Sequence, residues 1–453
     1  MSRIKLSEHF TYGRLFRFVL PSIIMMVFVS VYGIVDGFFV SNFVGEKPFA
    51  ALNLIFPFIM ILGAVGFMLG TGGNAVVSKL LGEGKGEKAN RVFSMLVYTT
   101  VVFGVLFAVA GIAVVRPVAR LFSLTEKNMT AAEREELVDY CAVYARIILA
   151  ALPAFMLQNA FQGFFVTAEK PRLGLYVTMA AGCGNILFDA LFVAVFKWGI
   201  VGAAVATALS QCIGGVLPLV YFARKNDSLL RLGKTSFDGR TLGKVSLNGM
   251  SELITNISLS VVTIFYNMQL MKIVGIAGVS AYGVIQYIGF IFIAVFLGYS
   301  IGSAPIVGYH YGAQGTDELK NIFKKSLLIM IALGVGMTAI SYIFAKLFAG
   351  IFVHYDPALL QLTTKGLRIY SLCFLTCGLN IFASAFFTAL GNGGISLLIS
   401  FARTFFFQIV CVLVLPVWFG LNGVWSAVVV AEGITLVLTI LLFIWQRKRY
   451  QYA

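Results

Sequence analysis

The sequence predicts an all-α integral membrane protein: twelve transmembrane helices in two pseudo-symmetric six-helix lobes. Composition, the spacing of apolar runs and an internal repeat predict it. Hydrophobic residues make up 59% of the 453-residue chain and charged residues only 12%, and mean hydropathy is +0.92. A soluble chain of this length carries roughly twice that share of charge. Apolar runs recur from end to end, each near or beyond the ~20 residues that cross a ~30 Å hydrocarbon core. The 46 glycines suit helices packed closely in lipid, where small residues let backbones approach.

The first span is expected over 14–41, behind a short basic leader, and is too long for the apolar part of a signal peptide. Spans follow at 50–80, 91–115, 137–168, 173–196 and 199–222. A second set falls at 241–272, 278–309, 321–349, 358–390, 395–417 and 422–446. Several exceed 25 residues, which calls for tilt or protrusion into solvent. Pro21, Pro57, Pro153 and Pro305 lie inside spans and should bend them.

Basic residues set the orientation. Arg3, Lys5, Arg14 and Arg17 precede the first span, Lys79, Lys85, Lys88 and Arg91 surround the second turn, and the joining loop is rich in Lys and Arg. The alternate segments hold fewer, among them Lys47, Arg116, Lys127 and Lys272. The positive-inside rule therefore puts both termini in the cytoplasm.

The chain also repeats itself. Phe165-Val166-Thr167-Ala168 matches Phe386-Phe387-Thr388-Ala389, and Gly199, Gly202 and Ala206 match Gly420, Gly423 and Ala427, both at a separation of 221. Gly82 and Phe93 match Gly312 and Phe323 at a separation of 230. The expected division is a first lobe over 1–222, a basic cytoplasmic linker over 223–240 and a second lobe over 241–453. Six spans per lobe give both halves the same orientation, related by a pseudo-twofold along the membrane normal. Two similar lobes that rock about a central cleft suit a carrier with alternating access.

Several function classes drop out. The net charge of +15 resides in short loops, so it orients the chain and does not mark nucleic-acid binding. Cys141, Cys183, Cys212, Cys373, Cys377 and Cys411 all fall inside expected helices, with no completed metal set, and read as small packing residues. His9, His310 and His354 are dispersed, and no nucleophile or acid–base set is visible, so no enzyme is expected. Leu81-Gly82-Glu83-Gly84-Lys85-Gly86 is a turn and not a phosphate loop, which leaves an ion gradient as the energy source.

Ionisable residues inside lipid cost at least ~2.5–3.5 kcal/mol each and require a reason. The clearest are Asp36 and Asp189, each roughly 8–11 Å below the outer end of its span at 1.5 Å per residue. Asn185 lies one turn before Asp189 on the same face. Thr207 is about 12 Å down the sixth span, and Gln162 of the fourth could add an amide from deeper. Two close carboxylates do not both ionise unless a cation joins them. The set therefore suits a coupling ion, H⁺ or Na⁺, with Na⁺ held by Asp36, Asp189, Asn185 and Thr207; a structural hydrogen-bonded knot is the alternative.

At the repeat offsets Asp36 falls on Tyr266 and Asp189 on Val410, so any such site is asymmetric. The seventh span carries a polar stripe of Asn248, Glu252, Asn256 and Ser260 that either lines the cleft for a cationic substrate or packs between helices. Glu432 is expected to pair structurally with Arg403 or Arg146.

At these residues the sequence resembles the multidrug and toxic compound extrusion (MATE) family, over essentially the whole chain. The carriers are Val35-Asp36-Gly37-Phe38-Phe39-Val40, Leu81-Gly82-Glu83-Gly84-Lys85, Asn185-Ile186-Leu187-Phe188-Asp189, Gly199 to Thr207 and Tyr311-Gly312-Ala313-Gln314. The pattern is closer to the bacterial MepA-type and DinF-type members. The resemblance implies a V of two lobes in a bacterial plasma membrane, exporting amphipathic, often cationic drugs against inward H⁺ or Na⁺. It carries the family's cation site onto Asp36, Asn185, Asp189 and Thr207, and onto Gln162. It implies a bent first helix at Pro21, no cofactor beyond the coupling ion, surrounding membrane lipid, no obligate protein partner and a working monomer. Glu252 matches the seventh-helix acid of one branch, whose tenth-helix acid has no counterpart between Ala358 and Leu390. The rival readings are a flippase for lipid-linked oligosaccharides and, from another class, an ion channel.

Overall fold

Long apolar stretches with few breakers leave the backbone no partner in lipid except itself, so they form helices. The computed structural model describes residues 4–124 and 130–453, the side chains of Ser41 and Glu46 aside, and no strand occurs among them. Arg3 and Lys127, two charges used to orient the chain, lie outside the described residues.

The first six spans are Tyr12–Phe43, Glu46–Gly82, Gly86–Ser123, a broken fourth, Pro171–Asp189 continued by Ala190–Val195, and Gly199–Ala223. The fourth consists of Ala131–Ala150 and Leu152–Thr167, which meet at 56°. Polar side chains start several helices: Thr11 accepts from Arg14 N, Thr130 and Glu133 form a capping box, and Asp238 accepts from Arg240 N and Thr241 N.

The later spans are Gly239–Ile273, Ile276–Gly312, Thr316–Ile343, a broken tenth of Pro357–Ser371 and Phe374–Ala389 meeting at 50°, and the stretch from Gly393 to Tyr450. That last stretch is 58 residues of helical backbone. At 1.5 Å per residue it would be about 87 Å long, far beyond any bilayer. Gly420 divides it with φ 53° and ψ −132°. A β-carbon on Gly423 would come within 2.4 Å of the Leu415 carbonyl oxygen, so the chain doubles back there. The eleventh and twelfth spans result, and the passes total twelve. Some boundaries differ from the sequence reading: the third span runs on to Ser123 and the fourth starts at Ala131. The ninth span ends at Ile343, and Ala345–Val353 is a separate short helix before the tenth.

The duplication is written into the backbone. Gly45 and Gly275 have φ of 111° and 80°, and Gly84 and Gln314 have φ of 73° and 57°, both pairs 230 residues apart. Gly199 and Gly420, with φ of 59° and 53°, lie 221 apart. So do the breaks of the fourth and tenth spans at Ala151 and Leu372. Pro153 is the second residue of the second half of one broken span, while Phe374 opens the other. The break therefore does not depend on proline. Pro21, Pro57 and Pro305 lie inside uninterrupted helices, and only Pro153 adjoins a break.

The lobes meet through the first, second, seventh and eighth spans. A β-carbon on Gly72 would come 2.1 Å from Val245 O, one on Gly298 2.5 Å from Ile23 Cα, and one on Gly312 2.1 Å from Lys79 O. All these approaches lie in the halves of the spans nearest the N-terminus. Toward the opposite ends the same four spans leave Phe38, Phe56, Ile264 and Phe290 exposed. The V is closed on the terminal side and opens away from it.

The first span divides its loyalty. Its first half, with Leu15, Phe18, Val19 and Ile23, belongs to the core of the second lobe. Its second half packs on the fifth span, where Gly182 would place a β-carbon 2.5 Å from Phe28 and 2.9 Å from Tyr32. Pro21 falls within the segment that packs on the second lobe. The joining segment is bound to the third span: Arg231 N donates to Asn90 Oδ1 and Gly233 N to Ser94 Oγ.

Candidate functional site

The site follows from how the first span enters the first lobe. Gly182 admits Phe28 and Tyr32, and one turn beyond Tyr32 the helix presents Asp36 toward the fifth and sixth spans. Thr207 of the sixth span donates its hydroxyl to Asp36 Oδ1 at 3.3 Å. Asp36 also comes within reach of Asp189 and Asn185. The sequence inferred a common depth for these residues, and the structure brings all four side chains together.

Asp189 is fully buried, yet neither carboxylate oxygen accepts a hydrogen bond from the described residues. Asn185 is 1% exposed, and its amide oxygen and nitrogen are equally unpartnered. A polar group buried without a partner costs about 1–3 kcal/mol, and a charged one more. No Lys or Arg side chain forms an ion pair with either acid among the described residues. The carboxylates, the Asn185 amide and the Thr207 hydroxyl supply hard oxygen ligands for an alkali cation, or acceptors for a proton.

The backbone changes character at this point. Asp189 immediately precedes the π-helical segment Ala190–Val195. Such bulges are rare and occur often at functional sites. Phe188 and Phe192 stack at 5.7 Å along it.

Other predicted residues divide. Gln162 is buried, but it is not among the described partners of either carboxylate. In this span Gln158, one turn earlier, is the amide within reach of the Tyr32 hydroxyl. Tyr144, also of the fourth span, comes within reach of Thr207. Sequence reasoning missed Tyr32, Tyr144 and Gln158. Tyr32 could have been found from its i, i+4 spacing to Asp36; nothing marks Tyr144 among 18 tyrosines.

In the seventh span, Asn248 is buried and donates to Thr388 O at 2.9 Å, which ties two helices together and takes it out of the cleft. Glu252 and Asn256 are half-buried, with Asn256 Nδ2 donating back to Glu252 O at 2.8 Å. Glu432 lies 3.7 Å from Arg403 and accepts from Asn380 Nδ2 at 2.8 Å. Its pairing with Arg403 agrees with the sequence reading. Arg146 is exposed.

Comparison with known proteins adds family context. A family model described as MatE matches residues 21–191 and 253–414. The multidrug export protein MepA of Staphylococcus haemolyticus is 23% identical over 446 residues, covering 98% of this chain and 95% of that protein. The crystal structure of MATE in complex with MaL6 superimposes with a TM-score of 0.90 at 22% identity, over 98% of this chain and 97% of the other. An outward-facing conformation of a multidrug resistance MATE family transporter of the MOP superfamily gives 0.89 at 22% identity, over 100% and 99%.

Proposed function

Because this chain belongs to the MatE family, we propose that it is a secondary active exporter of amphipathic, often cationic organic compounds, driven by inward H⁺ or Na⁺. The observation that carries the reading is the pair of a half-buried Asp36 and a fully buried Asp189, which lacks a counter-cation among the described residues. An energetic debt of this kind is settled when a cation enters from the open side.

The first span converts that event into motion. Its outer half carries Asp36 in the first lobe, and its inner half is built into the second. Neutralising the acids removes their repulsion, lets the outer half repack against the fifth span and shifts strain to the segment around Pro21. Cargo between the lobes then loses affinity. Ion and cargo compete through one conformational equilibrium, and the coupling is reciprocal. The chain works in a bacterial plasma membrane with both termini cytoplasmic, in line with its basic segments and its MepA relatives.

Purified protein in liposomes, loaded with a cationic dye, tests this with Na⁺ and pH gradients imposed separately. At least one gradient drives dye against its concentration. Dye that moves only down its own gradient, whatever ion is offered, overturns the reading. Open-pore currents would favour a channel instead.

A further inference from the structure

The second lobe encloses a cavity of about 140 Å³ between its seventh, eighth, tenth, eleventh and twelfth spans, and the ion-coupling reading does not use it. A cavity of similar size lined by apolar groups accepts a benzene ring. Its walls are aromatic. Tyr266 and Tyr282 stack at 4.7 Å with their planes 4° apart, and Tyr370 closes a further side.

Its polar groups share one property. Arg403 reaches the cavity from the eleventh span with its side chain 13% exposed. Its nearest acid oxygen, on Glu432, is 3.7 Å away, beyond hydrogen-bond distance. Glu432 is engaged elsewhere: it accepts from Asn380, which in turn accepts from Thr439 at 2.9 Å. The guanidinium carries five N–H donors and makes no hydrogen bond among the described residues. Two amides behave alike. Gln408 accepts from the Tyr266 hydroxyl at 3.1 Å and Gln286 from the Tyr370 hydroxyl at 3.2 Å, and among the described residues neither NH₂ group has an acceptor. Apart from Glu432 Oε1, which faces Arg403 across 3.7 Å, the unspent hydrogen-bonding capacity of these groups is donor capacity.

The backbone supports the same assignment. Arg403 lies in the π-helical segment Ala402–Phe406, which interrupts an otherwise regular span. The fifth span of the first lobe also carries a π segment, directly after Asp189, although at the repeat offset of 221 it falls on 411–416 and not on Ala402–Phe406. One lobe brings an acid to its bulge and the other brings a base.

We propose that this cavity is a binding site for aromatic compounds bearing an oxyanion, a carboxylate above all, with the ring against the Tyr266–Tyr282 stack and the anion on Arg403. A planar guanidinium matches a carboxylate with two parallel bonds, and the two amides supply further donors. The binding stands on this geometry alone; only its use as a cargo site rests on the export reading. Zwitterionic cargo then places its anionic end here and its cationic end toward the cleft.

The test uses the full chain in lipid nanodiscs and direct binding of radiolabelled benzoate, benzamide and benzylamine. Benzoate binds at least about tenfold more tightly than the isosteric amide, as a charge-assisted contact requires. Arg403→Gln abolishes that preference, Arg403→Lys keeps part of it, and Glu432→Gln strengthens it by removing the competing acid. If Arg403→Gln does not fold, the amide comparison and Glu432→Gln still decide. Equal affinity for benzoate and benzamide, or an unchanged preference in Arg403→Gln, overturns the proposal. Asp36→Asn separates the two readings: it keeps benzoate binding while dye efflux stops. Benzoate binding in a protein that no ion gradient drives would leave this site standing and remove the export reading.

Discussion

Gly249 of the seventh span rests on the backbone of Met68 in the second, so closely that a β-carbon would come 1.9 Å from the Met68 carbonyl oxygen. Gly82 against Tyr309 shows the same 1.9 Å approach between the second and eighth spans. The atoms met are backbone, which cannot swing aside. Gly249→Val therefore wedges the lobes apart at the terminal side, at a cost of about 1–3 kcal/mol to the closed seam. Spin labels on the inner ends of the third and ninth spans report it as a longer, broader distance distribution. An unchanged distribution in a folded Gly249→Val protein counts against the seam as the inner gate.

Asp189→Asn removes one of two facing acids and keeps the shape of the site. Gradient-driven efflux drops by about 5–150-fold, the range of a coupling of 1–3 kcal/mol. A second readout isolates ion binding. The coupling ion, present at about a hundred times its dissociation constant, stabilises wild type by about 2.7 kcal/mol. In thermal denaturation Asp189→Asn shows no such upward shift of Tm with Na⁺ or on acidification. A variant that still responds to the ion while efflux is lost would place the ion elsewhere.

The leader bridges the terminal face. Leu6 N donates to Glu169 Oε1 at 2.8 Å in the first half of the chain, and Phe10 N donates to Glu318 Oε1 at 2.8 Å in the second. Lys325 Nζ and Asn321 Nδ2 both donate to Phe10 O, at 2.7 and 3.0 Å. Glu318→Ala strands the Phe10 amide and weakens the attachment by about 1–3 kcal/mol. Hydrogen exchange at Phe10 accelerates in proportion, and the inner-gate distance lengthens as in Gly249→Val. Faster exchange with no change in gate distance would make the leader a passive tether.

Much of this architecture was legible in sequence because lipid narrows the options. Backbone polar groups must be satisfied within each span, so apolar length fixes most helices, and a glycine repeat fixes the turns that need left-handed backbone. Gly199 and Gly420 stood out for that reason. Pro153 marked the break at Ala151, but the one at Leu372 stayed hidden, because Phe374 carries no breaker signal. At the site, depth followed from counting residues, so Asp36, Asn185, Asp189 and Thr207 could be grouped. Azimuth did not follow. Gln158 and Gln162 lie one turn apart in one span, and their spacing does not say which amide approaches Tyr32. The first span's attachment to both lobes was likewise invisible, since Leu15, Phe18 and Val19 carry no label for the core they enter.

Gly420 offers a test of the hairpin that separates the last two spans. Its φ of 53° with ψ of −132° lies where a β-carbon collides with its own backbone, although no neighbour stands within 4 Å of the added atom. Strain there is purely local, and Gly420→Ala should lower stability by about 1–3 kcal/mol. Gly433 provides the control, because it sits in regular helix in the same span with equally open surroundings. Gly433→Ala should be neutral or stabilising by up to about 1 kcal/mol. Thermal denaturation of the two variants in one detergent distinguishes backbone conformation from space. If both substitutions behave alike, the chain continues through residue 420 without reversing, and the twelfth pass is lost with it.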